Sequence, residues 1–221
     1  MSKSTFPNGT TATLSSSDRP PPIWIGDHIA LHFLNSVAAP RGTQIEWIKT
    51  GQDFLTWMVA AQSLDLSEAK HLLSQFSARD FDQMAIDAIA LREWFRGALT
   101  RVKISGVASL SSADIECLNK IMTHDAVYRH IESDAKGKGL RLITKRAWRT
   151  PGQVLAPLAI AMADLLCNFD LNLVRNCENP PCTMWFYDRT KGHRRRWCSQ
   201  AVCGNRAKVA AFRDRQKQKN K

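Results

Sequence analysis

Nothing in this 221-residue chain is apolar for long enough to cross a bilayer. The longest such run, VLAPLAIAMADLLCNF at 154–169, is broken by Asp164 and falls short of the ~20 residues that a spanning helix needs. The opening segment MSKSTFPNGTTATLSSSDRPPP is polar throughout, so no secretory core is expected there. Also missing are an HExxH helix, a glycine-rich phosphate loop and a serine elbow, which argues against the common hydrolytic and nucleotide-driven chemistries. A cytoplasmic, reducing location is the expectation, and no membrane partner. In that setting clustered cysteines indicate metal or redox chemistry rather than disulfides.

Acidic residues are scarce at one end. From Arg175 onward lie 13 of the 31 Lys and Arg but only three of the 20 acids, Glu178, Asp188 and Asp214. Nearly all of the net charge of +11 therefore sits in the last fifth of the chain. Such asymmetry points to a polyanionic partner, nucleic acid before an anionic surface. The rest, with 44% hydrophobic and 23% charged residues overall, is ordinary for a folded protein with a core of its own.

Residues 1–22, rich in Ser, Thr and Pro, read as a disordered tail. After Gly26, Ile29, Ala30, Phe33 and Val37 recur at helical spacing. Ile48, Leu55, Trp57 and Met58 are core candidates, with Thr50 or Asp53 as a cap. Ser67 is expected to cap EAKHLLSQF. The segment 78–105 reads as one long amphipathic helix with Phe81, Met84, Ile86, Ile89, Trp94, Leu99 and Val102 inward. Ser111 or Ser112 should cap the next helix, and the β-prone runs around AKGKG read as a hairpin. Pro157 suits the first turn of a nearly all-apolar central helix.

The remaining cysteines fall as Cys177-x4-Cys182-x15-Cys198-x4-Cys203. Two close pairs joined by a loop of this length are the grammar of a four-thiolate zinc site. Asn179-Pro180-Pro181 enforces a turn between the first pair; TMWFYDRT can run out into a hairpin returning through RRRWC; Ser199 can cap a helix carrying Cys203. With four protein ligands the single Zn2+ has no open position and is structural. Two disulfides, or His193 in place of one sulfur, are the weaker readings. Cys117 and Cys167 stand singly in apolar helices and read as buried, inert thiols.

The segment C-x4-C…FYDRT…RRRWCSQAVCGNRAKV resembles the CGNR zinc finger, with Cys203, Gly204, Asn205 and Arg206 supplying its four letters. Upstream, GDHIALHFLNS is similar to the entry of the helical ABATE domain that precedes this finger, with Gly26, Ala30, Leu31, Phe33 and Asn35 in step. His32 stands where that family commonly has an acid. The two together would cover about 23–215. The resemblance implies a stress-induced transcription regulator and hence DNA binding. The expected fold is α+β and helix-dominated. A multi-helical ABATE-like domain over 23–174 carries a small β-hairpin, and a treble-clef-like zinc finger over 175–221 ends in a basic helix. A boundary at 174/175 implies that the first part folds without the second.

On a wheel at 100° per residue, Asn205, Val209, Phe212 and Gln216 share a stripe expected to pack on the zinc module. Lys208 and Arg215 flank it on one side; Arg206, Arg213 and Lys217 flank it on the other. The opposite face holds Ala207, Ala210, Ala211, Asp214 and Gln218, small enough to approach a phosphate-lined groove. With Lys191, Arg194, Arg195 and Arg196 of KGHRRR, these nine cations are the candidate nucleic-acid contacts, and double-stranded DNA is the expected partner. RNA binding and a zinc-thiolate redox sensor are the alternatives. A metal-dependent enzyme using His28 and His32, four apart, is the least favoured. A small-molecule effector and a homodimer remain open, the helical part serving as sensor or assembly module.

Overall fold

The computed structural model describes residues 19–134 and 137–219. It is helix-dominated, with short antiparallel strand pairs. The order is α1 (Ile29–Leu34), β1 (Val37–Ala38), β2 (Ile45–Glu46), α2 (Gly51–Ala60), α3 (Leu66–Gln75), α4 (Ala78–Ser105), α5 (Ser112–Met122), β3 (Val127–Ser133), β4 (Leu140–Arg146), α6 (Ala156–Asn168), β5 (Val174–Asn176), β6 (Trp185–Tyr187) and α7 (Asn205–Lys219).

The backbone of the fold is α4, about 42 Å long at ~1.5 Å per residue. Ser77 and Asp80 form a reciprocal capping box at its start, and Gly106, at φ 76°, ends it. Phe81, Met84, Leu99 and Val102 point inward as expected; Ile86 does not and stays 59% exposed, while Ile89 and Trp94 are only partly buried. Against α4 pack α1 and α2. The start of α2 comes so near that a Cβ on Gly51 would lie 2.2 Å from Cβ of Phe81, so no other residue fits there. Thr50 caps α2 with Asp53 as its partner, Ser111 caps α5, and α6 buries Leu158, Met162 and Leu165 centrally.

Two boundaries differ from expectation. The cap of α3 is Asp65, not Ser67, because only Asp65 has an acid, Glu68, three residues on to complete a box. The tail assignment 1–22 falls mostly outside the described residues, but 19–22 are held: Arg19 pairs with Asp53, and Trp47 Nε1 donates to Pro20 O at 2.7 Å. The thiols also differ, since Cys117 is only half-buried and Cys167 is exposed.

The hairpin around AKGKG forms, with β3 and β4 in register from Val127↔Arg146 to Ser133↔Leu140. A buried ion pair locks the centre. Arg92, 2% exposed, donates to both carboxylate oxygens of Glu46 at 2.8 and 2.7 Å and to Ser36 Oγ at 2.9 Å. Such a fork satisfies the guanidinium that burial would otherwise penalise. The core does not stop at Val174: Met184, Trp185, Phe186 and the four clustered cysteines belong to the same apolar cluster as Leu31, Phe33 and Phe95.

Candidate metal centre and nucleic-acid interface

The hairpin β5–β6 brings the first thiol pair to its tip. Asn176 pairs with Trp185, and the turn between them is tightened by Cys177 N donating to Met184 O at 3.0 Å and Cys182 N to Asn179 O at 2.8 Å. Of the second pair, Cys198 directly precedes Ser199, the cap of a π-helical turn at Gln200–Gly204 that carries Cys203, and Ser199 accepts from Val202 N. That turn runs straight into α7. All four sulfurs lie within 4.8 Å of one another, with Cys182 to Cys198 at 3.7 Å and Cys198 to Cys203 at 3.6 Å. Tetrahedral zinc with Zn–S of about 2.3 Å sets its sulfurs about 3.8 Å apart. The donor set fits the ion, and these cysteines form a zinc-binding site.

Charge reinforces the geometry. Burial, together with the neighbouring Cys182, pushes the Cys177 thiol up to about 11, and the hydrogen bond to Cys182 and burial push Cys198 up as well. Cys182 is drawn down to about 5, chiefly by Cys198. Four adjacent thiolates therefore require a dication between them. Arg206 Nη2 donates to Cys203 Sγ at 3.1 Å, giving the cluster a second source of positive charge.

The hairpin expected to return through RRRWC does not form, because the loop winds around a buried carboxylate. Asp188, 0% exposed, accepts from Thr190 N at 3.0 Å, Thr190 Oγ1 at 2.6 Å and Arg195 N at 2.8 Å. Burial alone would raise its pKa, but these donors and Arg175 hold it below the usual carboxylate value. His193 takes a left-handed backbone at φ 46° with its ring on Asp188 O at 3.2 Å, and is no ligand. Strand β6 instead pairs back onto β5.

The body grips the finger through the GDHIALHFLNS segment. Asn35, 3% exposed, acts as a strand edge: Nδ2 donates to Trp185 O and Oδ1 accepts from Trp185 N, each at 2.8 Å. Tyr187 N donates to Gly26 O at 2.9 Å. A Cβ on Gly26 would meet His32 N and Leu31 Cβ at 3.0 Å. Ala39 N donates to Thr183 Oγ1 at 2.8 Å. Replacing Asn35 with Ala orphans two buried backbone groups at about 1–3 kcal/mol each. Zinc-loaded Asn35→Ala protein is expected to lose about 2–5 kcal/mol in urea unfolding; a loss under ~1 kcal/mol would deny the residue this role.

The nine predicted cations separate into distinct environments. Arg195 is committed to the fold: it reaches Asp27 Oδ2, Ile25 O, Trp197 O and Cys198 O and lies over the Phe186 ring at 4.3 Å. Its guanidinium thereby holds the zinc loop to the body. Arg206 is half-buried, clamped to Pro40 O beside its sulfur contact. Arg196 pairs with Glu178 and covers Trp197 at 5.0 Å. Lys191 and Arg194 are exposed on the loop; Lys208, Arg213, Arg215 and Lys217 are exposed along α7.

Every side chain described on α7 from Lys208 to Gln218 is exposed. Val209 is 49% and Phe212 55% accessible, so the stripe expected to pack on the zinc module is uncovered. Its hold on the body lies in its first turn, where Arg206 donates to Pro40 O, and the residues beyond stay open. His28 and His32 form no metal pair. His28 caps α1 through Nδ1 and meets Asp164 with Nε2 at 3.1 Å. Burial draws His32 down to about 4, with Nδ1 accepting from Gly26 N.

Fold and site together define a helical domain carrying a structural zinc finger. Residues 27–168 match the family model of ABATE, described as "Putative stress-induced transcription regulator", and residues 174–216 match the CGNR zinc finger. The chain belongs to the ABATE family and carries the CGNR finger after that domain. No curated protein matches it. Both families are regulatory or zinc-binding types. Among the described residues no helix is long and apolar enough to cross a membrane.

Proposed function

We propose that this regulator binds double-stranded DNA through α7, with the zinc site and the Arg206–Pro40 clamp fixing the direction of the helix and the body setting that direction. The observation that carries the reading is the projection of α7, about 22 Å long at ~1.5 Å per residue, with four cations exposed along it. An α-helix, about 10–12 Å across with its side chains, enters a B-form major groove about 12 Å wide while flanking Lys and Arg hold phosphates. Lys191 and Arg194, on the loop before the second thiol pair, supply further phosphate contacts. Arg195 and Arg206 orient the finger instead.

A-form RNA keeps its major groove too narrow for such a helix, which favours DNA over duplex RNA. The test is a salt titration of duplex binding by the full, zinc-loaded chain. Log affinity is expected to fall linearly with log salt, at about 0.9 per phosphate neutralised, and Lys208→Gln, Arg213→Gln, Arg215→Gln and Lys217→Gln together should flatten the slope by about 3–4. Binding that ignores salt, or an unchanged slope in the variant, rejects the reading. Equal affinity for duplex RNA would move the partner to RNA.

A further inference from the structure

We infer that α7 reads DNA with its apolar stripe, Val209, Phe212 and Gln216, and that the finger thereby selects thymine-bearing, A·T-rich major grooves. This deepens the DNA-binding reading and rests on it.

Two faces of α7 lie between its cationic rows. With Asn205 as origin, Lys208 and Arg215 lie about 60–80° to one side of the stripe and Arg213 and Lys217 about 80–120° to the other. The rows are therefore nearly equatorial and could serve either face. The opposite face carries Asp214 at its centre, and an acid pushed between phosphate walls is repelled. The stripe carries no acid. Its Val209 and Phe212 are about half exposed, where the body could have covered them had they been core residues. Apolar side chains in the major groove recognise the C5-methyl of thymine, and an amide such as that of Gln216 matches the N6/N7 edge of adenine. The one stripe thus offers partners for both members of an A·T pair.

A second copy of the chain is a poor occupant. A two-helix seam along this stripe would place Lys208 and Arg215 on one rim and Arg213 on the other, in both copies, with like charges facing. Nucleic acid instead supplies negative charge along both rims.

The test uses three alternating duplexes of equal length, built from dA and dT, from dA and dU, and from dG and dC, with zinc-loaded full-length protein. Deoxyuridine removes only the methyl group and leaves every phosphate in place. Wild type is expected to bind the thymine duplex about three- to fivefold more tightly per methyl contacted than the deoxyuridine one. It should prefer both to the G·C duplex. Phe212→Ala should erase the thymine–deoxyuridine difference while keeping the salt slope, and Ala211→Leu on the opposite face should keep the difference. Because Phe212 is exposed, circular dichroism should show its variant folded. Equal wild-type binding to the thymine and deoxyuridine duplexes overturns the inference while leaving salt-dependent binding intact. So does a difference that survives Phe212→Ala and vanishes in Ala211→Leu. No salt-dependent binding to any duplex removes the DNA reading itself, and an acidic protein helix then becomes the partner of the stripe.

Discussion

Chelating zinc from the intact protein is expected to lower the melting temperature of the whole chain, not only of its last segment. Zinc binding is worth roughly 10–16 kcal/mol in isolated finger peptides, against a typical total stability of about 5–15 kcal/mol for a domain. The cluster cannot be lost quietly here. Cys177, Cys182, Cys198 and Cys203 are 7%, 7%, 3% and 0% exposed and share one apolar cluster with Met184, Trp185 and Phe186. Loosening the sulfurs releases the turn between β5 and β6, and with it the strand edge that Asn35 binds.

For a chain of this size ~1 kcal/mol corresponds to about 2–4 °C, so losing even ~5 kcal/mol lowers the midpoint by about 10–20 °C. Thermal unfolding followed by circular dichroism, with and without a strong chelator, measures it. Added zinc should restore the midpoint, and Cys203→Ser should reproduce the loss without chelator. An apo-protein melting at the same temperature as the zinc-loaded one would end the argument for a structural ion.

What could be read from the sequence was whatever depends on neighbours along the chain. The thiol spacing was legible because ligand pairs and their turns are local. The 78–105 helix was legible because its cap, its N3 acid and its terminal glycine are all within reach of one another. Even the misplaced cap of α3 obeys a local rule: the capping box selects Asp65, since Ser67 has Lys70 three residues on.

Long-range contacts were not legible. The main side-chain partner of Arg195, Asp27, lies 168 residues away, so nothing near KGHRRR distinguishes that arginine from Arg194, which is exposed. Asn35 and Asp188 shape the finger through backbone groups, and side chain-to-backbone bonds leave no pairing signal in composition. The stripe on α7 shows a different limit. Amphipathic spacing announces that a face will be covered, but not whether the cover belongs to the same molecule. Pattern alone packs Val209 and Phe212 on the zinc module, and the fold leaves them open.

Removing residues 175–221 is expected to destroy cooperative folding of the remainder. The cut takes Met184, Trp185 and Phe186, which are 0%, 5% and 0% exposed, out of a core that α1, α2, α4 and α6 share with them. Truncating one buried aromatic to Ala costs about 3–5 kcal/mol, and losing three large side chains at once exceeds what a domain of this size holds in reserve. The cut also orphans Asn35 and leaves Gly26 O and Ala39 N without their partners. A shorter cut separates fold from function. Ending the chain at Lys208 keeps all four sulfurs, the Arg206 clamp and the shared core, and removes only the exposed part of α7. That variant should melt cooperatively within a few degrees of wild type with its zinc, while losing duplex binding. A soluble, cooperatively melting fragment 1–174 would show that the ABATE body needs no finger, and the shared core would then be an interface between two autonomous domains.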